Sequence, residues 1–328
     1  MNSLIESYIQ YIETVRRYSK RTSAIYHDAL EGFCAFSLEH PDSEAELVDT
    51  LDVPSIRNYE VHLLDEKGLD PRTVNLHLSV LSGFCRYLVM HGELKSNPAR
   101  LVTRPKESKR LPVFYRNDAM NEYMAGTEHS ASEDELEILE SFGRRPAGSK
   151  TAKEMYERRL RRMIVSLLHA TGMRRAEMIS LNVRDLDMDR RMLRITGKGD
   201  KTRMIPVIPS LCEELSLYME AVESFVGVRQ SPDDPLLMTP SGHRLYPVYV
   251  DRAVKDELGG FSGITGRKSP HVLRHTLATE LLNDGADLNS IKELLGHSSL
   301  AATQVYTHNS IEKLKKVYSD AHPRAKKD

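Results

Sequence analysis

Apolar residues recur every three or four positions through the first hundred residues, which is the spacing of one buried face on an α-helix. Four stretches carry this pattern, and each is bounded by residues that start or stop helices. Ser19 or Thr22 can cap the second stretch, whereas Gly68 and Gly92 can end the third and the fourth. The stretches are LIESYIQYIETV, SKRTSAIYHDALEGFCAFSLEH, VPSIRNYEVHLLDEKG and DPRTVNLHLSVLSGFCRYLVMHG. The pattern therefore predicts a compact all-α domain.

A basic segment with three prolines, residues 97–112, follows the predicted helices. Prolines and clustered Lys and Arg between two patterned regions are typical of an interdomain linker. We expect a helical domain over 1–103, a linker over 104–111 and a second domain over 112–328. A basic linker can lie along a phosphate backbone or remain a solvated tether, and the composition fits both.

The periodicity becomes mixed from residue 151 onward, where helical spacing alternates with one pair of β-rich runs. Helices are predicted for MYERRLRRMIVSLLHATG, RRAEMISL, SLCEELSLYMEAVESF, HVLRHTLATELLNDG and DLNSIKELLG. The runs on either side of GKGDK, within RMLRITGKGDKTRMIPVIP, predict a β-hairpin. The second domain is therefore expected to be mixed but mainly α, with a small hairpin or sheet.

Two further segments of the second domain have patterns of their own. Residues 125–150 are acidic at first and rich in Gly and Pro later, which predicts a surface insertion with a short helix at SEDELEILESF. Residues 310–328 predict a C-terminal helix and tail, with an apolar stripe that needs a groove for burial. That groove can belong to the same chain or to a neighbouring protomer. The stripe consists of Ile311, Leu314, Val317 and Tyr318.

Composition limits the class of protein. A length of 328 residues suggests about two domains, and no apolar run approaches the roughly 20 residues of a membrane span. Three widely separated cysteines predict a reduced, cytosolic environment. Lys and Arg number 11 against 15 Asp and Glu in residues 1–105, and 28 against 23 in residues 151–328. These balances of −4 and +5 permit DNA binding by the second domain without demonstrating it.

The motif HVLRH, residues 271–275, places two histidines on one helix face with an arginine between them. The same spacing binds zinc in metalloproteases, but there a glutamate follows the first histidine, and here Val272 does. The fixed positive charge of Arg274 is unfavourable beside a metal cation and favourable beside a phosphate. The choice between a metal site and a phosphate site therefore depends on which other residues of the chain could converge on a phosphate.

The other candidates in the second domain are ambiguous when they are taken singly. Arg174 begins a predicted helix, Lys198 lies at the hairpin tip, His297 follows a helix end, and Tyr306 comes later in the chain. Each has an ordinary structural explanation as a solvated, capping or packing residue. The glycine-rich TGKGDKT does not have the spacing of a nucleotide-binding P-loop.

Taken in order, these motifs resemble those of the tyrosine recombinases, or phage integrase family, and within it the bacterial Xer recombinases. The resemblance extends over nearly the whole chain, and it implies a SAM-like, DNA-binding N-terminal domain and a tyrosine recombinase catalytic domain. Glu177 matches the companion acid of the first arginine, and His275 matches a supporting histidine. The long 125–150 segment and Arg175 depart from the family pattern. The catalytic residues that the resemblance implies are Arg174, Lys198, His271, Arg274, His297 and Tyr306.

The resemblance also implies a chemistry. Tyr306 would attack a DNA phosphate and form a 3′-phosphotyrosyl intermediate, which conserves the energy of the broken bond. A tyrosine with an ordinary pKa of about 10 needs a proton acceptor and an electrophilic phosphate for this attack. Arg174, Arg274 and His297 would hold the non-bridging oxygens. His271 would accept the tyrosine proton, and Lys198 would protonate the leaving 5′ oxygen.

The resemblance implies site-specific recombination of double-stranded DNA, with four protomers of one kind, or of two paired Xer-like recombinases, acting on two sites. No cofactor and no metal ion is implied. The favoured role is resolution of chromosome dimers, and a DNA invertase or mobile-element integrase of the same family is the alternative. A type IB topoisomerase or a non-catalytic DNA-binding protein is less favoured, because binding alone needs no nucleophile.

Overall fold

The computed structural model describes residues 2–38, 40, 43–107, 113–143, 149–197 and 200–296. The chain divides into two compact units, residues 1–110 and 111–328, each with its own apolar core. Among the described residues, no helix combines the length and the apolar composition that crossing a bilayer requires. The C-terminal helix predicted within 310–328 lies outside the described residues.

The N-terminal unit is all-α, as the sequence predicts. Ser19, rather than Thr22, caps the second helix, because its hydroxyl accepts a hydrogen bond of 3.2 Å from the Thr22 backbone N–H. The third helix was not predicted, since seven residues that bury only Leu47 are too few to show a periodic face. The helices are α1 Ser3–Thr14, α2 Lys20–Ser37, α3 Glu44–Thr50, α4 Val53–Val61 and α5 Pro71–His91, with a π-helical turn at His62–Glu66 and a 3-10 turn at Pro98–Arg100.

The core of the N-terminal unit lies between α1, α2, α4 and α5. Aromatic rings fill its centre and pack at tilted or edge-on angles, as Phe33 and Tyr59 do with ring centroids 5.2 Å apart. Aliphatic residues from every helix complete the core. Its largest fully buried members include Ile5, Ile12, Leu30, Phe33, Leu47, Ile56, Tyr59, Leu78 and Phe84.

The second unit is built around one long helix, α8, of whose 22 residues 15 are buried. Helices α7, α10, α11 and α12 pack around it. Gly172 ends this helix in the left-handed conformation (φ 58°) that the sequence predicts for a stop. The helices are α6 Asn117–Gly126, α7 Glu133–Ser141, α8 Lys150–Thr171, α9 Arg175–Ser180, α10 Pro209–Val226, α11 Pro247–Gly259, α12 Pro270–Asn283 and α13 Leu288–Leu295.

One small antiparallel sheet accompanies these helices, in the order β1-β2-β3. The predicted hairpin is confirmed as β2, Met192–Thr196, and β3, Thr202–Pro206, and the short β1, Leu186–Asp187, adds a third strand. Ile195 pairs with Arg203 across the hairpin. Both side chains are buried, so an arginine lies on the face of the sheet that packs against the core.

The segment predicted to be a surface insertion contributes one face of its helix to the core. Its helix is confirmed as α7, and Leu136 and Leu139 of that helix are buried against α8 and α10. The surface prediction depended on the acidic composition of this segment, and Glu133, Asp134, Glu137 and Glu140 are indeed exposed. Glu135 is buried and pairs with Arg158 and Arg159 of α8.

Candidate active site

Arg174 stands where the chain leaves α8 and begins α9. Its backbone N–H and its Nη1 each donate a hydrogen bond of 2.8 Å to the carboxylate of Glu177, one turn further along α9. The side chain of Arg174 is 45% exposed, whereas that of Glu177 is only 5% exposed. The buried acid therefore orients an arginine whose side chain is nearly half exposed.

A second arginine, Arg203 of β3, holds the same carboxylate. Its Nη1 and Nη2 donate to the two oxygens of Glu177 at 3.1 and 2.8 Å, which is a bidentate ion pair. Burial raises the pKa of Glu177, but the hydrogen bonds and charge of Arg203, together with the bonds from Arg174, outweigh burial and lower the pKa to about 2. Glu177 is therefore ionised throughout the neutral range.

Arg274, in the first turns of α12, is buried and lies between two helix ends. Its Nη1 donates to the carbonyl of Gly172 at 2.7 Å and its Nη2 donates to the carbonyl of Leu295 at 2.6 Å. Burial, and then the nearby charges of Arg174 and Arg203, lower the pKa of Arg274 to about 10. The guanidinium remains charged at neutral pH.

The end of α13 presents three consecutive backbone carbonyls, and a different arginine donates to each. Carbonyls at a helix C-terminus have no partner within the helix and carry the negative end of its dipole. We call Arg174, Arg203 and Arg274 the arginine cluster. Its bonds to α13 join Arg203 Nε to Leu294 O at 2.9 Å, Arg274 Nη2 to Leu295 O at 2.6 Å and Arg174 Nη2 to Gly296 O at 3.0 Å.

Two glycines permit this close approach. Gly172 and Gly296 both have left-handed backbones, with φ of 58° and 66°. A Cβ on Gly172 would lie 2.5 Å from a methyl group of Leu295, and a Cβ on Gly296 would lie 2.9 Å from Nη1 of Arg203. Larger residues at these positions would push α13 away from the cluster.

The two histidines of HVLRH form a pair on the same helix as Arg274. Their Nε2 atoms are 3.1 Å apart, and the rings meet edge to face with centroids 4.4 Å apart. One of these nitrogens must carry the proton and the other must accept it. His271 is exposed and His275 is partly buried, so a proton can pass between a solvent-facing ring and a less accessible one.

The structure thus brings Arg174, Glu177 and Arg274 together and places His271 and His275 one turn apart on α12. Lys198, His297 and Tyr306 lie outside the described residues. The described chain ends one residue before His297, at the arginine cluster. Gly197, the residue before Lys198, lies close to Glu177, since a Cβ on Gly197 would be 3.3 Å from Oε1 of Glu177.

Arg203 is the member of the cluster that the sequence analysis did not identify. A signal was present in the strand alternation, because Arg203 and Ile205 occupy the same face of β3. An arginine at an inward strand position is rarely buried unless it is paired. For metal binding, no group of three or more His, Cys, Asp or Glu side chains suited to an ion occurs within the described part of the chain.

Comparison with known proteins agrees with this arrangement. The model of the "Phage integrase family" matches residues 148–313, and that of the "Phage integrase, N-terminal SAM-like domain" matches residues 5–92. A "Tyrosine recombinase XerC" of Chlorobaculum parvum is 32% identical, over 98% of this chain and 94% of the relative. A "Tyrosine recombinase XerD" of Lacticaseibacillus casei is 30% identical, over 99% of this chain and 100% of the relative.

A solved structure shares the fold of this chain. The XerH site-specific recombinase, bound to a palindromic difH substrate in a post-cleavage complex, gives a TM-score of 0.65 at 19% identity, covering 96% of this chain and 84% of that one. The predicted pairing of a SAM-like domain with a tyrosine recombinase catalytic domain is confirmed.

The family matches and the full-length relatives together define an enzyme that cleaves and rejoins DNA. The chain belongs to the phage integrase family, the tyrosine recombinases. Its function is site-specific DNA recombination.

Proposed function

We propose that this recombinase cleaves DNA with Tyr306, forming a 3′-phosphotyrosyl intermediate, and that the arginine cluster holds the phosphate under attack. The observation that carries the proposal is the convergence of three arginines on the end of α13, immediately before His297. Tyr306 follows His297 by nine residues, so the predicted nucleophile belongs to the segment that begins at this cluster.

The cluster supplies the positive charge that the transition state needs. Negative charge grows on the non-bridging oxygens during attack, and donors fixed in advance at these oxygens lower the barrier most. The half-exposed guanidinium of Arg174 and the buried guanidinium of Arg274 are the donors that we assign to the phosphate. His297 is assigned as a third donor. In other phosphoryl-transfer sites divalent ions provide the same stabilisation.

Proton transfers are assigned to His271 and Lys198. His271 takes the proton of Tyr306 during attack, and His275 shares a hydrogen bond with it at 3.1 Å that can accept the added charge. Lys198, at the turn between β2 and β3, donates a proton to the leaving 5′ oxygen. The hydroxyl so formed later attacks the phosphotyrosine and restores a phosphodiester.

The cellular role that we propose is Xer-type resolution of chromosome dimers, because the curated relatives are XerC and XerD recombinases matched over nearly their full length. Residues 1–103 would act as the core-binding domain on DNA, joined by the linker 104–111 to the catalytic domain 112–328. Four protomers would assemble on two sites, either alone or with a second, paired recombinase. The relatives include both XerC and XerD recombinases, so pairing with a second Xer-type recombinase is the arrangement to test first.

Covalent capture tests the chemistry. The wild-type chain is incubated with a random-sequence library of nicked duplexes, in which the cleaved fragment diffuses away and traps the covalent complex. Wild type and Tyr318→Phe should retain DNA after denaturation, and Tyr306→Phe should retain none while still shifting the same duplexes. An adduct that survives in Tyr306→Phe and disappears in Tyr318→Phe would move the nucleophile to Tyr318.

Sequencing of genomic DNA captured in the same way tests the role. A single chromosomal site supports dimer resolution, whereas inverted pairs of sites or the ends of a mobile element support the invertase or integrase alternative. Attachment at many unrelated positions would indicate relaxation of supercoils by a topoisomerase-like activity.

A further inference from the structure

Arg203 lies behind the proposed phosphate contacts. Three of its N–H groups are used inside the protein, two on Glu177 and one on the carbonyl of Leu294. The residue is 7% exposed, and its guanidinium plane packs against Gly296, where a Cβ would meet Nη1, Cζ and Nε at 2.9, 3.1 and 3.2 Å. Arg203 therefore has neither the exposure nor the orientation to contact DNA itself.

Its contacts join three elements that each lead to a different predicted catalytic residue. Glu177 belongs to α9, which begins at Arg174. Leu294 belongs to the last turn of α13, which precedes His297. Arg203 itself lies on β3, five residues after Lys198. One planar, rigid side chain thus links the helix of Arg174, the segment of His297 and the hairpin of Lys198.

We propose that Arg203 is a positioning residue for DNA cleavage, which holds the Glu177 carboxylate that orients Arg174 and fixes the end of α13 from which His297 follows. This inference rests on the proposed function, because Arg174 and His297 are there assigned to the phosphate. A lysine could keep the charge but could not make the bidentate pair and the third bond at the same time.

Loss of Arg203 should leave Glu177 buried with fewer donors. Burial alone raises the pKa of the Glu177 carboxyl, and the groups that remain to oppose it are Arg174 on α9 and Arg274 on α12. Without the largest opposing contribution the pKa rises. The carboxyl then takes up a proton at a higher pH than in the wild type, and it ceases to hold Arg174.

The test compares Arg203→Met, Arg203→Lys and a matched control, Arg194→Met. Arg194 is an exposed arginine of the same hairpin, which pairs with Asp185 at 2.9 Å. For each variant we would measure thermal unfolding, the shift of a captured duplex, and the single-turnover rate of adduct formation from pH 5 to pH 8. His271 and His275 are present in every variant and lie on the helix of Arg274, so each rate is divided by the wild-type rate at the same pH.

Arg203→Met should bind the duplex within about threefold of wild type and cleave it about 10- to 100-fold more slowly, since a small misplacement of catalytic groups is enough for such a loss. Its relative rate should fall further as the pH decreases. Arg203→Lys should recover part of the rate and keep the wild-type pH profile, because it retains a charge beside Glu177. Arg194→Met should match wild type.

The inference is overturned if folded Arg203→Met cleaves at the wild-type rate, or if its deficit is the same at every pH and equal to the unfolded fraction. The wild-type protein, assayed in parallel, distinguishes this outcome from a failure of the proposed function. If wild type forms no adduct that depends on Tyr306, the proposed function fails. If wild type forms the adduct and Arg203→Met forms it equally well, only the role of Arg203 fails.

Discussion

The carboxylate of Glu135 accepts a hydrogen bond of 3.1 Å from Nε of Arg158, although Glu135 belongs to the most acidic stretch of the chain. Arg159, next in sequence, donates at 2.6 Å to the carbonyl of Ser132, the residue that caps α7. The acidic stretch and the ERRLRR of α8 are therefore complementary surfaces that fold against each other. We therefore expect the segment 128–141 to contribute to the stability of the catalytic unit.

We expect Leu139→Ala to lower the free energy of unfolding by about 2–5 kcal/mol, because it removes a side chain that is 1% exposed between α7, α8 and α10. Ile138→Ala is the matched control, since the side chain of Ile138, next to Leu139, is 53% exposed. Its truncation should change the free energy of unfolding by about 0.5 kcal/mol or less. Urea unfolding of both variants measures the difference. Equal effects would mean that α7 is not part of the core.

Arg162→Met should destabilise the catalytic unit by about 3–5 kcal/mol, because it removes the arginine that pairs with the buried carboxylate of Glu214. Nε of Arg162 donates to that carboxylate at 2.9 Å, and Nη1 donates to the carbonyl of Met124 at 2.9 Å. Arg184→Met, in an exposed pair with Asp233, should have little effect. Adding Glu214→Leu to Arg162→Met should restore much of the loss, and failure to do so would assign the loss to packing of the arginine stem.

Gly296→Ala tests the close approach of α13 to the cluster. A left-handed backbone strains any residue with a Cβ by about 1 kcal/mol, and overpacking against Arg203 adds about 1–3 kcal/mol. Gly285→Ala isolates the first contribution, since its φ is 84° and no described neighbour lies within 4 Å of the added Cβ. The melting temperature and the rate of adduct formation should both fall more in Gly296→Ala than in Gly285→Ala. Identical losses in the two variants would show that Arg203 moves aside freely.

The ionised Glu177 predicts a loss of stability in acid. Its pKa of about 2 in the folded protein lies below the ordinary value of about 4.3, so its contribution is complete above that value and disappears as the pH falls toward 2. Glu177→Gln should remove about 2 kcal/mol at pH 7 and flatten the dependence of unfolding free energy on pH between about 5 and 2. Urea titrations of wild type and variant give that slope. Parallel curves would mean that other carboxyl groups dominate acid unfolding.

The role of Lys198 predicts a rescue by substrate chemistry. Lys198→Ala should form the adduct about 100-fold or more slowly on ordinary DNA, because the leaving 5′ oxygen needs a proton. A 5′ sulfur leaves without one, so a 5′-phosphorothiolate strand should restore most of the rate. Lys201→Ala, an exposed lysine of the same turn, serves as the control. An equal deficit on both strands would assign Lys198 to another task.

Local signals in the sequence predict most of the fold. Gly92 and Gly172 end their helices in the left-handed conformation, and Ser19 caps α2, because each effect depends only on residues within one helical turn. The contact between Arg174 and Glu177 also follows from a spacing of three on α9. Contacts between residues within one helical turn can be predicted from the sequence alone.

Other features depend on distant segments and could not be predicted. The donation of Arg203 to Leu294 joins residues that are 91 positions apart, and no periodicity specifies that pairing. The acidity of Glu135 was interpreted as solvation, since the sequence does not show that Arg158 covers it. Helix α11 was not predicted, because no pattern in the sequence separates it from the irregular chain before it. Buried polar pairs of high sequence separation are therefore the part of this site that only the structure supplies.

The guanidinium groups of the arginine cluster lie around the Glu177 carboxylate and the end of α13. Repulsion from Arg174 and Arg203 contributes to the lowered pKa of Arg274. An anion placed among them would relieve that repulsion, so we expect the folded catalytic unit to bind anions that the unfolded chain does not. By mass action, such a ligand raises the melting temperature in proportion to the logarithm of its concentration. DNA then acts as a folding ligand as well as a substrate. A protomer away from its recombination site is the less stable form, and a protease that cleaves unfolded chains would remove free protomers before bound ones.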